Sequence, residues 1–217
     1  MILSKVASNP DEFLPIQLRL SGRFIVIIGG GAVGRRKART VLQTGARVRL
    51  VALDPQPADF QHQSLHWIQQ EYRSDHLEGA ELVFAAGPKS LNFQVVQDAR
   101  QRGIWVNDAA NPSEGDFLLP AVGRSGLVTV TVDTSGRVPG AAATLRDLVI
   151  NSLDGPIHTW IELLAEYRAR ILLKVRSEIQ RQELIREMSD CRWIEHIRSR
   201  GVEDVRQDWE QMLEHIL

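Results

Sequence analysis

The strongest constraint on the fold is a junction near residue 30. Five apolar residues, Phe24-Ile-Val-Ile-Ile28, run straight into Gly29-Gly-Gly31-Ala-Val-Gly34. A continuous apolar run of this length that ends on glycine predicts a strand buried on both faces, as in a parallel sheet. The helical pattern from Val33 to Thr44 follows at once, and Gly45 closes it. Strand, glycine turn and helix in this order are the setting in which G-x-G-x-x-G binds a dinucleotide. Gly29 would allow the tight turn, Gly31 would let the backbone approach a pyrophosphate, and Gly34 would let helix and strand pack closely. The start of the helix then offers free N–H groups and a partial positive charge to the phosphates.

Downstream the rhythm repeats. Arg47 to Val51, Leu65 to Gln69, Glu81 to Ala85 and Gly103 to Asn107 read as further strands, and Leu91 to Arg102 as a helix with Leu91, Val95 and Ala99 on one face. This predicts an α/β fold with a doubly wound, parallel Rossmann-type sheet. After Pro112 the pattern changes. Phe117 to Pro120 and Leu127 to Val132 flank Gly123-Arg-Ser-Gly126 and read as a hairpin. From Ala141 the signals are helical only. Ile157, Trp160, Ile161, Leu164, Tyr167, Ile171 and Val175 recur at helical spacing, and Trp193, Ile194, Ile197, then Val202, Val205, Trp209 and Met212, do so on either side of Gly201. These stripes are read as core or subunit interface. The expected organisation is a dinucleotide-binding domain over 1–112, a small hairpin and helix that serve dimerisation over 113–150, and an all-helical C-terminal module over 151–217.

Composition narrows the function. A net charge of -1 across 217 residues lacks the basic excess of a nucleic-acid binder. One cysteine, Cys191, excludes a disulfide framework within the chain and is read as a small packed side chain, not a nucleophile. No apolar run reaches the roughly 20 residues that span a bilayer, and Met1 to Pro10 lacks a basic start followed by an apolar stretch, so a soluble cytoplasmic protein is expected. His62, His66, His76, His158, His196 and His215 form no H-E-x-x-H and no tight cluster, so no metal site is expected.

The acid that accepts the adenosine ribose hydroxyls in such folds should close the second strand, where Val51 and Ala52 stand. Asp54, about twenty residues beyond the glycines, either serves this role or is an ordinary turn residue before Pro55. No arginine follows to claim a 2′-phosphate, which favours NAD over NADP.

Other segments carry a more specific likeness. Leu14-Pro-Ile16, Leu20-Ser-Gly-Arg23, the glycine turn, Arg36-Lys37-Ala38 and Thr44-Gly-Ala-Arg-Val48 occur in order. Val83-Phe-Ala-Ala86, Leu91-Asn92, Arg102-Gly-Ile104, Val106-Asn107, Phe117 to Pro120 and Gly136 to Pro139, with Arg146 in the helix beyond, continue the series. The series resembles the dehydrogenase domain of the siroheme synthase family across nearly the whole chain. The resemblance implies NAD-dependent oxidation of precorrin-2 to sirohydrochlorin, with iron insertion in some members, by a homodimer whose hairpin and helical parts interlock. It implies that Gly29, Gly31, Ala32, Val33, Gly34, Asp54 and Ala86 hold the cofactor. The substrate is a tetrapyrrole rich in carboxylates, for which Arg36, Lys37, Asn107, Arg124, Arg137 and Arg146 are the candidate contacts.

Three departures stand out. The family often ends its fifth strand N-x-x-D-x-P, with the aspartate the proposed proton acceptor and a group implicated in chelation. Here Asn107-Asp-Ala-Ala-Asn-Pro112 puts Ala110 at that position. If the strand continues, Asp108 lies on the same face as residue 110, about 7 Å away, and either reaches the same place as the catalytic base or is a polar strand-end residue. The family's A-T-D-D turn is replaced by Ala86-Gly-Pro-Lys-Ser-Leu91, and its V-S-S-G-G-x-S-P stretch by Val132-Asp-Thr-Ser-Gly-Arg-Val-Pro139. Two functions are therefore expected in competition: an NAD-dependent precorrin-2 dehydrogenase with ferrochelatase activity in doubt, or a non-catalytic relative that binds dinucleotide or tetrapyrrole as a sensor, carrier or assembly partner.

Overall fold

The computed structural model describes residues 13–135 and 137–217. The Met1 to Pro10 segment and Gly136, both used in the sequence readings, lie outside the described residues. The chain divides into two compact units, Met1–Leu119 and Pro120–Leu217.

The first unit is built on a parallel sheet. Strand β1 (Phe24–Ile28) leads through the glycine turn into α1 (Ala32–Leu42), and β2 (Arg47–Ala52) and β3 (Leu65–Gln69) follow. Then come β4 (Leu82–Ala85), α2 (Lys89–Gln101) and β5 (Trp105–Asp108). The strand order is β3-β2-β1-β4-β5, every pair parallel. From β1 the chain winds one way through α1, and from β4 it winds the other way through α2. Right-handed crossovers therefore put the two helices on opposite faces of the sheet. The alternation of side chains shows this directly. Ile25, Ile27, Leu50 and Phe84 pack with Ala38, Val41 and Leu42 of α1. Val26, Ile28, Val51, Val83 and Val106 pack with Val95, Val96 and Ala99 of α2. The strand order reverses direction between β1 and β4, and the loops above that point form the place where such sheets bind ligands.

The outer edge of β5 is closed by the chain that follows it. Asp116 donates its N–H to the Val106 carbonyl at 2.7 Å, and its carboxylate accepts the Val106 N–H at 2.9 Å. This removes the open edge that would otherwise invite strand pairing.

In the second unit, β6 (Ala121–Ser125) and β7 (Val128–Val132) form an antiparallel hairpin. The predicted hairpin is present, but Gly123, Arg124 and Ser125 lie in its first strand and not in the turn, which is Gly126-Leu127. Gly126 has φ +54, a conformation that favours glycine, so it makes the turn. Gly123 serves packing: a Cβ there would lie 2.6 Å from Ile150 and 3.0 Å from Arg146. Both belong to α3 (Pro139–Asn151), which lies on the hairpin.

The helical bundle follows as α4 (Gly155–Lys174), α5 (Glu178–Met188), α6 (Arg192–Arg200) and α7 (Val202–Glu214). Its core gathers Tyr167, Ile171, Leu184, Met188, Trp193, Val205 and Trp209. Helix α5 escaped the apolar pattern because only Leu184 and Met188 are buried, with Ile185 partly so and Ile179 exposed, in a stretch otherwise polar. Asp154 caps α4 by accepting the Ile157 N–H. Cys191, expected to be packed, is exposed, because it stands in the turn that joins α5 to α6.

Candidate functional site

The glycine turn has the geometry its sequence promises. Gly29 adopts φ +114, and a Cβ there would lie 2.5 Å from the Ala86 carbonyl oxygen. Gly34 packs its Cα against the turn itself, since a Cβ would lie 1.9 Å from the Gly29 carbonyl oxygen. At Gly31, by contrast, a Cβ would meet nothing within 4 Å. The backbone there faces open space, and Gly31, which precedes the first turn of α1, offers no side chain to cap it. An uncapped helix start beside an open glycine backbone is a cradle for a diphosphate, so these residues fit a dinucleotide. Ala32 and Val33, both exposed, form the first helical positions at this cradle.

Gly30 was not singled out by the sequence, yet it is as tightly held. A Cβ on it would lie within 2.8 Å of the Trp67 ring and 2.7 Å from Ala52. The Gly30 carbonyl also accepts a hydrogen bond from the Arg35 guanidinium at 2.8 Å. Asp54 stands exposed just past β2, and its carbonyl accepts the Trp67 indole N–H at 3.1 Å. Trp67 thereby braces both the glycine turn and the segment that carries Asp54.

On the other side of the switch point, β4 ends at Ala85 and the turn Ala86-Gly87-Pro88 leads into α2. Ala86 remains strand-like, donating its N–H to the Ile28 carbonyl at 2.8 Å. Beyond it sits a residue whose role the sequence did not disclose. Asn92, completely buried, accepts the Gly87 N–H at 2.9 Å and donates to the Ala85 carbonyl at 3.1 Å and to the Asp108 carboxylate at 2.7 Å.

Asp108 is therefore placed differently from the open cleft position that a catalytic base needs. The strand does reach it, but ends there. Its side chain is 3% exposed, on the face covered by α2. The same carboxylate oxygen that takes Asn92 also accepts the N–H groups of Ala110 at 2.8 Å and Asn111 at 3.1 Å. Ala110 is exposed on the turn so formed. The two residues do not share a strand face.

Asn107 points to the opposite face. Its amide donates to the Phe117 carbonyl at 2.8 Å and accepts from the Lys37 ammonium at 2.7 Å. That ammonium also lies 5.2 Å from the centre of the Phe84 ring. Burial, and secondarily the charge of Arg36, push the Lys37 amine down to about 8. Lys37 is thus a half-buried cation whose hydrogen-bond partner is a neutral amide. Arg36 itself is exposed on α1. Arg124, Arg137 and Arg146 belong to the second unit, where Arg124 and Arg137 are exposed and Arg146 pairs with Asp147 at 2.7 Å. In that unit the Ser125 hydroxyl and the His158 ring are 2.9 Å apart, which ties the hairpin to α4.

A parallel sheet with this glycine turn at its switch point defines a dinucleotide-binding protein of the Rossmann type. The family described as putative NAD(P)-binding matches residues 16–121. A siroheme synthase of Photorhabdus laumondii is 28% identical over 207 residues, covering 94% of this chain and 44% of its own length. Siroheme synthase 1 of Aeromonas salmonicida is 31% identical over 176 residues, covering 79% and 38% respectively. Among solved structures, SirC, a precorrin-2 dehydrogenase, superposes with a TM-score of 0.76 at 20% identity over 92% of this chain and all of its own. The chain is thus similar to siroheme synthases over most of its own length, and shares its fold with SirC. It spans less than half the length of the curated relatives described above.

Proposed function

We propose that this chain oxidises precorrin-2 to sirohydrochlorin with NAD, as a cytoplasmic homodimer. The observation that carries the reading is the open backbone at Gly31 beside an uncapped α1, in a chain similar over 94% of its length to a siroheme synthase. Bound NAD would supply the hydride acceptor. The substrate loses one hydride and one proton, giving sirohydrochlorin, NADH and H⁺.

The chain's own part is to bind and orient. The N–H groups at the start of α1 take the diphosphate, and Asp54 takes the adenosine ribose. In the first unit Lys37 and Arg36 are the cations offered to the substrate's carboxylates; in the second unit, taken by itself, Arg124, Arg137 and Arg146 are further candidates. Dimerisation is supported by Leu145, Leu148 and Val149 on α3 and Val122 on the hairpin, large apolar side chains left exposed in a single chain.

The test supplies purified protein with NAD and enzymatically generated precorrin-2, and follows the sirohydrochlorin absorbance. NAD-dependent product is expected. A protein that binds NAD yet gives no product would instead support the non-catalytic reading. Added ferrous iron tests the second activity: Ala110→Asp is expected to raise iron insertion above the parent, since Ala110 is exposed and the new carboxylate would displace nothing.

A further inference from the structure

Two loops border the β4 side of the dinucleotide cradle: the turn Ala86-Gly87-Pro88 after β4, and the turn from Ala109 to Asn111 after β5. The first touches the glycine turn directly, through the Ala86 carbonyl that crowds Gly29. The second carries Ala110, which is exposed. The sheet's own backbone hydrogen bonds reach only the first residue of each turn, Ala86 N–H to the Ile28 carbonyl and Ala109 N–H to the Ala85 carbonyl. Beyond that residue the shape of each turn needs side chains.

Asn92 and Asp108 supply them. Both are buried, and together their side chains make five hydrogen bonds: four to backbone groups of the two turns and β4's end, at 2.8–3.1 Å, and one between the two side chains at 2.7 Å. Asn92 presents its oxygen to Gly87 and its amide to Ala85 and Asp108, so it uses both ends of a group that is donor and acceptor at once. Asp108 turns one oxygen to three N–H donors, as a buried carboxylate must when no cation pairs with it. A network satisfied in this way is rigid, and the loss of any member strands the others.

We propose that Asn92 and Asp108 are a positioning pair, which sets the β4 and β5 loops as one piece against the glycine turn, and that Asp108 does not act as the base. This rests on the dinucleotide reading given above. The pair acts through the loops: Gly87 and Ala86 hold the cofactor side, Ala110 and Asn111 the substrate side.

Three variants test it: Asp108→Asn, Asn92→Asp, and the two combined. Asp108→Asn keeps an acceptor oxygen for Ala110 and Asn111 but cannot take up a proton as a carboxylate does. Asn92→Asp opposes two carboxylates across the bridge. The double variant restores a donor and an acceptor between the two side chains but leaves the Ala85 carbonyl without the donor that Asn92 gives it. Hydrogen exchange on the protein without ligand reads the loops, NADH fluorescence titration reads cofactor binding, and steady-state rates read kcat and KM separately.

Asn92→Asp is expected to speed exchange at Gly87, Ala110 and Asn111 together and to weaken NADH binding about tenfold, with the double variant recovering the slow exchange at Ala110 and Asn111 but only part of the NADH affinity. Asp108→Asn is expected to keep kcat within about threefold. A loss of roughly a hundredfold or more in kcat for Asp108→Asn, with NADH affinity unchanged, would mark Asp108 as the base and overturn the proposal. So would unchanged exchange at Ala110 and Asn111 in Asn92→Asp. If the parent protein binds no NADH, the dinucleotide reading fails by itself, while the exchange data still decide whether the pair holds the two loops.

Discussion

Lys37 carries a penalty that can be measured. Its ammonium is half-buried against Phe84 and meets only the neutral Asn107 amide, and its amine is pushed down to about 8 from lysine's ordinary 10.5. At about 1.4 kcal/mol per pH unit, the charged form costs the folded protein roughly 3 kcal/mol at neutral pH. Lys37→Met keeps the length of the side chain and its apolar contact while removing the charge. It also strands the Asn107 oxygen, which costs about 1–3 kcal/mol. The balance near pH 7 is a variant more stable than its parent by roughly 1 kcal/mol. The pH dependence is the sharper test. The folded pKa lies below the unfolded one, so between about pH 8 and 10.5 the unfolded chain holds a proton that the folded chain has released, and the parent gains stability as pH rises through that window. The variant lacks this gain. Urea unfolding at pH 7, 8.5 and 10 should show the variant's advantage shrink and then reverse. A difference between the two proteins that does not move with pH would refute the reasoning. If Lys37 also reads a substrate carboxylate, the variant's KM for precorrin-2 should rise about tenfold with the KM for NAD unchanged.

The two ends of the glycine turn should separate stability from binding. Gly34→Ala drives a methyl into the Gly29 carbonyl and should cost more than about 3 kcal/mol in urea unfolding, whereas Gly31→Ala meets no protein atom and should melt like the parent while weakening NADH binding at least tenfold in a fluorescence titration. In the bundle, the Arg170 guanidinium, with the Tyr167 hydroxyl, holds the Glu210 carboxyl down to about 2. This contribution is present above the ordinary glutamate range and is lost as pH falls through about 2. Glu210→Gln should therefore lower the thermal midpoint at pH 7, and the gap should close as the two proteins are compared toward pH 2.

What could be read from the residues alone is what depends on near neighbours. The glycine turn is legible because strand, turn and helix are contiguous, and the close packing at Gly34 is with Gly29 five residues away, although the crowding at Gly29 comes from Ala86, far along the chain. The parallel sheet is legible for the same reason, since strands buried on both faces must be apolar throughout. The hairpin was placed only roughly, because the sequence does not say which of Gly123 and Gly126 makes the turn. Gly126 makes it with its positive φ, while Gly123 is a strand residue whose missing Cβ admits Ile150 and Arg146 of a helix that follows later. Helix α5 was illegible because its two buried residues are too few to make a periodic stripe. Trp67 looked like a weak strand residue, and its bracing of Gly30 depends on a contact with the glycine turn far earlier in the chain.

Asp108 shows the limit most clearly. As a displaced base it requires the strand to run on, so that residues 108 and 110 share a face. The strand stops at Asp108 because the Asp108 carboxylate itself bends the chain, accepting the N–H groups of Ala110 and Asn111. A side chain that makes the turn cannot also lie beyond it. That geometry is what supports the proposal that Asp108 positions the loop and does not stand in for an acid at residue 110. Hydride transfer depends chiefly on how two rings are held, which the glycine turn and the paired loops can provide without a carboxylate at 110. Metal insertion depends on a basic group at the macrocycle, which they do not supply. The proposed dehydrogenase reading therefore stands without a carboxylate at 110, whereas the chelatase reading is tested at Ala110, which is exposed.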